Sequence, residues 1–251
     1  MIEINNLSLE ISNKIILENL NFSINEGILA ILGLNGCGKT TLLKSLMGLL
    51  KLKKGTISIN NNDIINTTKN ALAKKIAFVP QEHNTYFNYT VSEMVLMGRT
   101  PHIKNFALPN KIDNELVDKA LHDVDIHHLK NRNFLELSGG ERRLVLIARA
   151  LAQQTEIILF DEPTTFLDLK NSYLVLNKIK KLSKEKLVIL TLHDLNQTLQ
   201  CADNILMIFS STDHIFGRIE DIITNENLKK LYNIPLEIVR NGNRIHYIRS
   251  L

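Results

Sequence analysis

Gly33-Leu34-Asn35-Gly36-Cys37-Gly38-Lys39-Thr40-Thr41 follows the apolar run Ile28-Leu29-Ala30-Ile31-Leu32 and leads into Leu43, Leu46, Met47 and Leu50, which share one helical face. Strand, glycine-rich turn and helix form the context in which the pattern G-x-x-x-x-G-K-[ST] has a physical meaning. Gly33, Gly36 and Gly38 let the backbone come close to a phosphate chain and take positive φ where the turn needs it. The N–H groups so freed line an anion nest at a helix N-terminus. Lys39 is expected to reach the β- and γ-phosphates as a point charge, and the Thr40 hydroxyl to ligate Mg²⁺. A flexible glycine loop with an incidental lysine is the simpler alternative, but strand, spacing, lysine and hydroxyl are all present. The stretch predicts a nucleoside triphosphate site.

A second stretch reads Ile157-Ile158-Leu159-Phe160-Asp161-Glu162-Pro163. An apolar strand that ends in two carboxylates places them in the crevice where α/β sheets bind ligands. Asp161 is expected to hold Mg²⁺ through water, and Glu162 to orient and deprotonate the attacking water. Alone, Asp-Glu after a strand is a solvated turn. Its pairing with the phosphate loop gives it a function.

The third stretch, Leu137-Ser138-Gly139-Gly140-Glu141, precedes a helical pattern with Leu144, Ile147, Ala148 and Leu151 on one face and Arg142, Arg143 and Arg149 among the rest. Ser138 as N-cap with Glu141 at N3 makes a capping box. Two glycines are costly if capping is their whole purpose. They also leave bare N–H groups at a positive helix end, a second phosphate site without a lysine of its own. Such a site suits closure over a nucleotide held by another subunit.

With these three stretches in order, the chain resembles the ATP-binding-cassette ATPases over roughly residues 2 to 225. GLNGCGKTT matches the Walker A motif, LSGGE the signature and IILFDEP Walker B. The resemblance implies that Gly33, Asn35, Gly36, Cys37, Gly38, Lys39, Thr40 and Thr41 contact ATP. Gln81 matches the Q-loop glutamine, a Mg²⁺ ligand and catalytic group. Asp168, in Thr164-Thr165-Phe166-Leu167-Asp168, matches the D-loop, and His193 the switch histidine that senses the γ-phosphate. Ser138, Gly139, Gly140 and Glu141 would act in trans within a homodimer. The pattern departs at three places. Ile11 stands where the family often stacks an aromatic on adenine, Glu141 replaces the usual glutamine, and Phe166 is bulkier than the usual D-loop residue.

The fold expected is α/β: a P-loop NTPase core with an N-terminal antiparallel β subdomain and a helical signature subdomain. Residues 1–251 read as a single domain, with a helical insertion over about 81–150 and a C-terminal embellishment over about 204–251. Within the insertion Tyr86, Phe87 and Tyr89 cluster, a helix follows around Val91–Leu96, and another runs through Leu116, Val117, Ala120, Leu121 and Val124. Elsewhere helices are expected near 71–75, 171–183, 194–202 and 226–232, and strands at 76–79, 187–192, 205–209, 236–239 and 245–248.

A net charge of +4, spread along the chain, suits an anionic ligand better than nucleic acid, which favours a basic stripe. Cys37 and Cys201 have neither zinc spacing nor a disulfide framework, and Cys37 reads as a small residue tolerated in the loop. No signal peptide is recognisable at Met1-Ile2-Glu3, and no apolar run is long enough to cross a bilayer. The expectation is a soluble protein at the cytoplasmic face of the cell membrane, attached through a partner.

Thr90-Val91-Ser92-Glu93-Met94-Val95-Leu96-Met97-Gly98-Arg99-Thr100-Pro101-His102 resembles the insertion of ATPases that serve importers of iron chelates, haem or cobalamin, and of molybdate or tungstate. It reads as an exposed helix and proline turn for docking a membrane permease, with Arg99 and His102 not metal ligands. The chain would meet a substrate-binding protein only indirectly. Two alternatives stand beside this one. DNA-repair relatives need long coiled-coil insertions and translation relatives carry two cassettes, whereas a solitary P-loop kinase or GTPase would lack LSGGE.

Overall fold

The computed structural model describes residues 1–81, 87–104, 107–233, 236–241 and 244–249. Tyr86, expected beside Phe87 and Tyr89, lies outside the described residues. The chain divides into two compact units, one made of Met1–Thr67 with Leu187–Leu251 and the other of Thr68–Lys186.

The first unit opens with β1 (Ile2–Ile11) and β2 (Lys14–Ile24), an antiparallel pair whose alternating Ile2, Ile4, Leu7, Leu9, Leu20, Phe22 and Ile24 are buried. Next comes β3 (Ile28–Gly33), buried at every position, as expected of a strand covered on both faces. The helix α1 (Lys39–Leu46) follows the glycine loop and buries Leu42, Leu43 and Leu46. It stops at Leu46, with Met47 as its C-cap, so Leu50 lies beyond the helical face expected for it. With β4 (Lys54–Ile59) and β5 (Asn62–Asp63) the antiparallel sheet has the order β2-β1-β4-β5.

The second unit runs through α2 (Lys69–Ala73), β6 (Ile76–Val79), α3 (Val91–Leu96), α4 (Lys111–Asp123), α5 (Gly139–Ala152), β7 (Ile157–Phe160) and α6 (Leu169–Leu182). Thr68 accepts from the Ala71 N–H, so α2 starts two residues before the expected 71. β6 and β7 pair in parallel, Ile76 opposite Ile157. α3, α4 and α5 pack on one another through Val91, Met94, Val95, Val117, Ala120, Leu121, Val145 and Ile147, all at most 1–2% exposed. Burying each of the valine, leucine, isoleucine and methionine side chains contributes about 1.5–3 kcal/mol.

The chain then returns to the first unit. Its elements are β8 (Leu187–Leu192), α7 (Leu195–Cys201), β9 (Asn204–Ile208), β10 (His214–Arg218), α8 (Ile219–Ile222), α9 (Asn225–Tyr232), β11 (Leu236–Asn241) and β12 (Arg244–Arg249). β3 lies between β8 and β9 and is parallel to both, while β10 runs antiparallel to β9. The expected embellishment from about 204 is corrected here: β9 is a core strand, with Ile205, Leu206, Met207 and Ile208 at 0% exposure. Leu195, Ile205, Met207, Ile219, Ile222, Leu228 and Leu231 form one apolar cluster that holds α8 and α9 against it. Phe22 of β2 stacks on Phe216 of β10 with centroids 5.0 Å apart, which joins the antiparallel sheet to this one.

Candidate functional site

In the first unit the site grows from the end of β3. Leu32 pairs with Leu192 in the parallel register, so Gly33, the last residue of β3, and His193, the first after β8, lie at the same carboxyl edge. Gly36 and Gly38 take φ of +78° and +106°, and Gly38 is the N-cap of α1 with no side-chain cap bond. A Cβ on Gly38 would stand 2.5 Å from Ile16 Cγ2, so conformation and space both demand glycine there. Among the described residues no side chain caps the start of α1, and a helix start of this kind is where an anion binds.

Lys39 is buried, and its ammonium donates to the Gly33 carbonyl at 2.8 Å and the Leu34 carbonyl at 3.2 Å. The loop thus carries its own cation on its own carbonyls. Asn35, Gly36 and Thr40 are exposed, while Cys37 and Thr41 are half-buried. Cys37 Sγ occupies the space a Gly33 Cβ would need, 2.4 Å away. Burial pushes the Cys37 thiol up, with Lys39 acting against it. His193 is exposed, and Asp194 after it caps α7 by accepting from the Asn196 and Gln197 amides at 2.7 and 3.1 Å. Ile11, at the expected base-stacking position, is exposed beside the β1–β2 turn.

In the second unit β6 and β7 deliver Gln81 and the carboxylate pair. The Asp161 N–H donates to the Val79 carbonyl at 2.9 Å, and the Asp161 side chain is buried. Glu162 takes φ +47°, an uncommon conformation for a residue with a Cβ and one that clusters at functional positions. Its Oε2 accepts from Gln81 Nε2 at 2.8 Å and from Thr165 Oγ1 at 3.1 Å. Gln81 and Glu162, 81 residues apart in the chain, are thereby brought together.

The capping box expected at α5 is made. Ser138 Oγ accepts from the Glu141 N–H at 3.4 Å, and the Glu141 carboxylate accepts from Ser138 N–H and Oγ at 2.8 and 2.7 Å. The Ser138 hydroxyl and amide hold the Glu141 carboxyl below the usual range, so its charge is engaged at its own helix end. Ser138 and Gly139 are exposed, and Gly140 is buried. A Cβ on Gly140 would come within 2.6 Å of the Asn171 amide, itself bonded to Asp168. Asp168 is the N-cap of α6, accepting from the Asn171 N–H at 2.7 Å. The signature and D-loop turns therefore touch. Phe166, at φ +64°, is 81% exposed.

Two expectations about α5 need correction. Arg143, placed among the residues off the apolar face, is buried, donating to the Pro80 and Gln81 carbonyls at 2.6 Å each. Val145, Leu146, Ile147 and Ala148 are buried, whereas Leu144 and Leu151 are half-buried, so the apolar face is turned from the one expected. Arg143 is the site residue that sequence reading missed. Its partners lie more than sixty residues away, and no local pattern signals them.

Strand, glycine loop and helix in this geometry define the phosphate-loop class of nucleotide-binding protein. The family described as ABC transporter matches residues 17–165. The chain is 38% identical over 249 residues to a protein assigned as the iron chelatin transport ATP-binding protein of Helicobacter pylori, covering 98% of each. It is 39% identical over 228 residues to the molybdate import ATP-binding protein MolC of Haemophilus influenzae, covering 90% of this chain and 85% of that one. A solved structure of a protein assigned as a metal-chelate type ABC transporter, in an inward-facing conformation, superposes with a TM-score of 0.88. It is 36% identical and covers 100% of this chain and 97% of its own. The chain belongs to the ABC transporter family, as one of its ATPases. Among the described residues no helix is long and apolar enough to cross a membrane.

Proposed function

We propose that this ATPase powers uptake of a metal chelate (iron–siderophore, haem or cobalamin) or of molybdate or tungstate through a separate integral membrane permease. It works as a homodimer at the cytoplasmic face of the membrane and meets the substrate-binding protein only through the permease. The observation that carries this reading is similarity to an iron chelatin and a molybdate import ATPase over 98% and 85% of their lengths. Phe87 and Met97, 67% and 37% exposed on the 87–97 segment, offer the permease an apolar surface.

Within each subunit the loop amides and Lys39 bind the ATP phosphates, Lys39 exchanging its loop carbonyls for the β- and γ-oxygens. The Thr40 hydroxyl, Gln81 amide oxygen and Asp161 carboxylate are hard oxygen donors of the kind Mg²⁺ takes. Gln81 gives its NH₂ to Glu162, which leaves the amide oxygen to face a cation. When bound, the ion neutralises charge on the phosphates. Glu162 accepts the proton of the attacking water. His193 reads the γ-phosphate from the edge it shares with Gly33, and Ser138-Gly139-Gly140 closes on the nucleotide of the second copy.

The test is reconstitution with permease and binding protein in liposomes, measuring ATP hydrolysis. Stimulation by a binding protein loaded with one of these five cargoes is expected. Hydrolysis that responds to none of them overturns the importer reading.

A further inference from the structure

We propose that Gly98-Arg99-Thr100-Pro101-His102 is a clamp on the C-terminal end of α5, and that Arg99 positions the Ser138–Gly140 turn at the opposite end. The proposal rests on reading Ser138–Gly140 as a second phosphate site. It corrects the expectation of an exposed docking turn, because Gly98 and Arg99 are buried, Arg99 to 5% exposure.

The last carbonyls of any helix lack partners within the helix. At α5 they are met by this segment. Arg99 Nη1 donates to the Ala152 carbonyl at 2.7 Å and approaches Gln154 Oε1 at 3.4 Å. His102 Nε2 donates to the Gln153 carbonyl at 2.9 Å. Gly98 lies flush on the same helix, where a Cβ would stand 2.1 Å from the Arg149 carbonyl oxygen. A cation at a helix C-terminus is favourable, and a buried one needs a counter-charge. Asp113 supplies it, accepting from Arg99 Nε at 3.0 Å. Asp113 also caps the start of α4, accepting from the Asn110 N–H at 3.0 Å. One guanidinium therefore ties the end of α5 to the beginning of α4.

α5 has 14 residues, a rod of roughly 21 Å. It carries Ser138–Gly140 at one end and Arg143, on the Pro80 and Gln81 carbonyls, along its length. A rod held at its C-terminal end conveys any displacement of residues 87–97 to its N-terminal turn. A purely structural staple would affect melting alone. A positioning clamp also alters turnover in protein that remains folded.

The full-length chain is compared with Arg99→Lys, which keeps the charge but loses the fork, and with His102→Ala and His102→Gln. ATP affinity is read by calorimetry, turnover by phosphate release and folding by thermal melting. Affinity within about twofold of wild type is expected, with turnover lowered about three- to tenfold in Arg99→Lys and His102→Ala. His102→Gln, which still offers an N–H to Gln153, recovers turnover. Wild-type turnover in both His102→Ala and Arg99→Lys overturns the clamp, whatever the melting shift. If Arg99→Lys does not fold, the two His102 variants decide alone. Ser138→Arg separates the two readings. If it hydrolyses ATP normally, the paired-site reading fails; if it is inactive while the clamp variants match wild type, only the clamp fails.

Discussion

Gln81 Nε2 donates to Glu162 Oε2 across 2.8 Å, joining the residue that follows β6 and Pro80 to the second carboxylate after β7. Thr165 Oγ1 is a second donor to the same carboxylate oxygen, at 3.1 Å. On the proposed reading of Glu162 as the base, these two donors fix where its carboxylate stands. Gln81→Ala is expected to bind ATP and to lose roughly ten- to a hundredfold in kcat, the loss of one hydrogen bond to a charged group. Unchanged kcat would make the contact irrelevant to hydrolysis.

Lys39→Ala removes the only ammonium bonded to the Gly33 and Leu34 carbonyls among the described residues. ATP affinity should fall about ten- to a hundredfold and hydrolysis should cease, since the γ-phosphate loses its fixed cation. Equilibrium binding by calorimetry, with melting as the control for folding, decides it. Wild-type affinity would contradict the loop assignment.

Gly140→Ala sets helix propensity against packing. Alanine is better than glycine inside a helix by about 1 kcal/mol. Here its Cβ would stand 2.6 Å from the Asn171 amide, which is bonded to Asp168, and such overpacking costs about 1–3 kcal/mol. Packing should win, lowering the melting temperature and the turnover but not ATP affinity. Adding Asn171→Ala should recover part of the melting loss. A Gly140→Ala protein more stable than wild type would show that the turn relaxes freely.

Cys37 provides a pH test. The thiolate is the reactive form, and burial holds this thiol above its ordinary range despite Lys39. Alkylation by N-ethylmaleimide should be slow at neutral pH, climb only above the usual thiol range of about 8.5, and slow again with ATP bound. Rapid modification at neutral pH would contradict the packing of Sγ against Gly33.

The phosphate loop, the two carboxylates and the capping box were legible because each is local. An apolar run, glycines and a lysine, or Ser138 and Glu141 three apart, contain their own physics. The core helices of the second unit were legible for the same reason, since Val117, Ala120 and Leu121 repeat at helical spacing. Arg99 and Arg143 were not. Gly98 and Pro101 make their neighbourhood read as a turn, and the burial of Arg99 is decided by the Ala152 carbonyl fifty-three residues on. The positive φ of Glu162 has no sequence signal, because glutamate is not a residue that favours it. β10 and α8 went unnoticed because the half-buried strand is short, interrupted by Gly217, and defined by pairing with β9.

The most direct measurement is light scattering of Glu162→Gln with ATP in the absence of Mg²⁺, against the same protein with ADP. The substitution keeps size and shape but removes the proton acceptor, a loss of about 10²–10⁴-fold in rate. On the proposed reading the loop amides and Lys39 still hold ATP, so each nucleotide would bridge one subunit's loop and the other's Ser138-Gly139-Gly140. The account predicts a dimer with ATP and a monomer with ADP. A variant that binds ATP tightly yet remains monomeric would contradict the paired site, and near-wild-type turnover would remove Glu162 from the role of base.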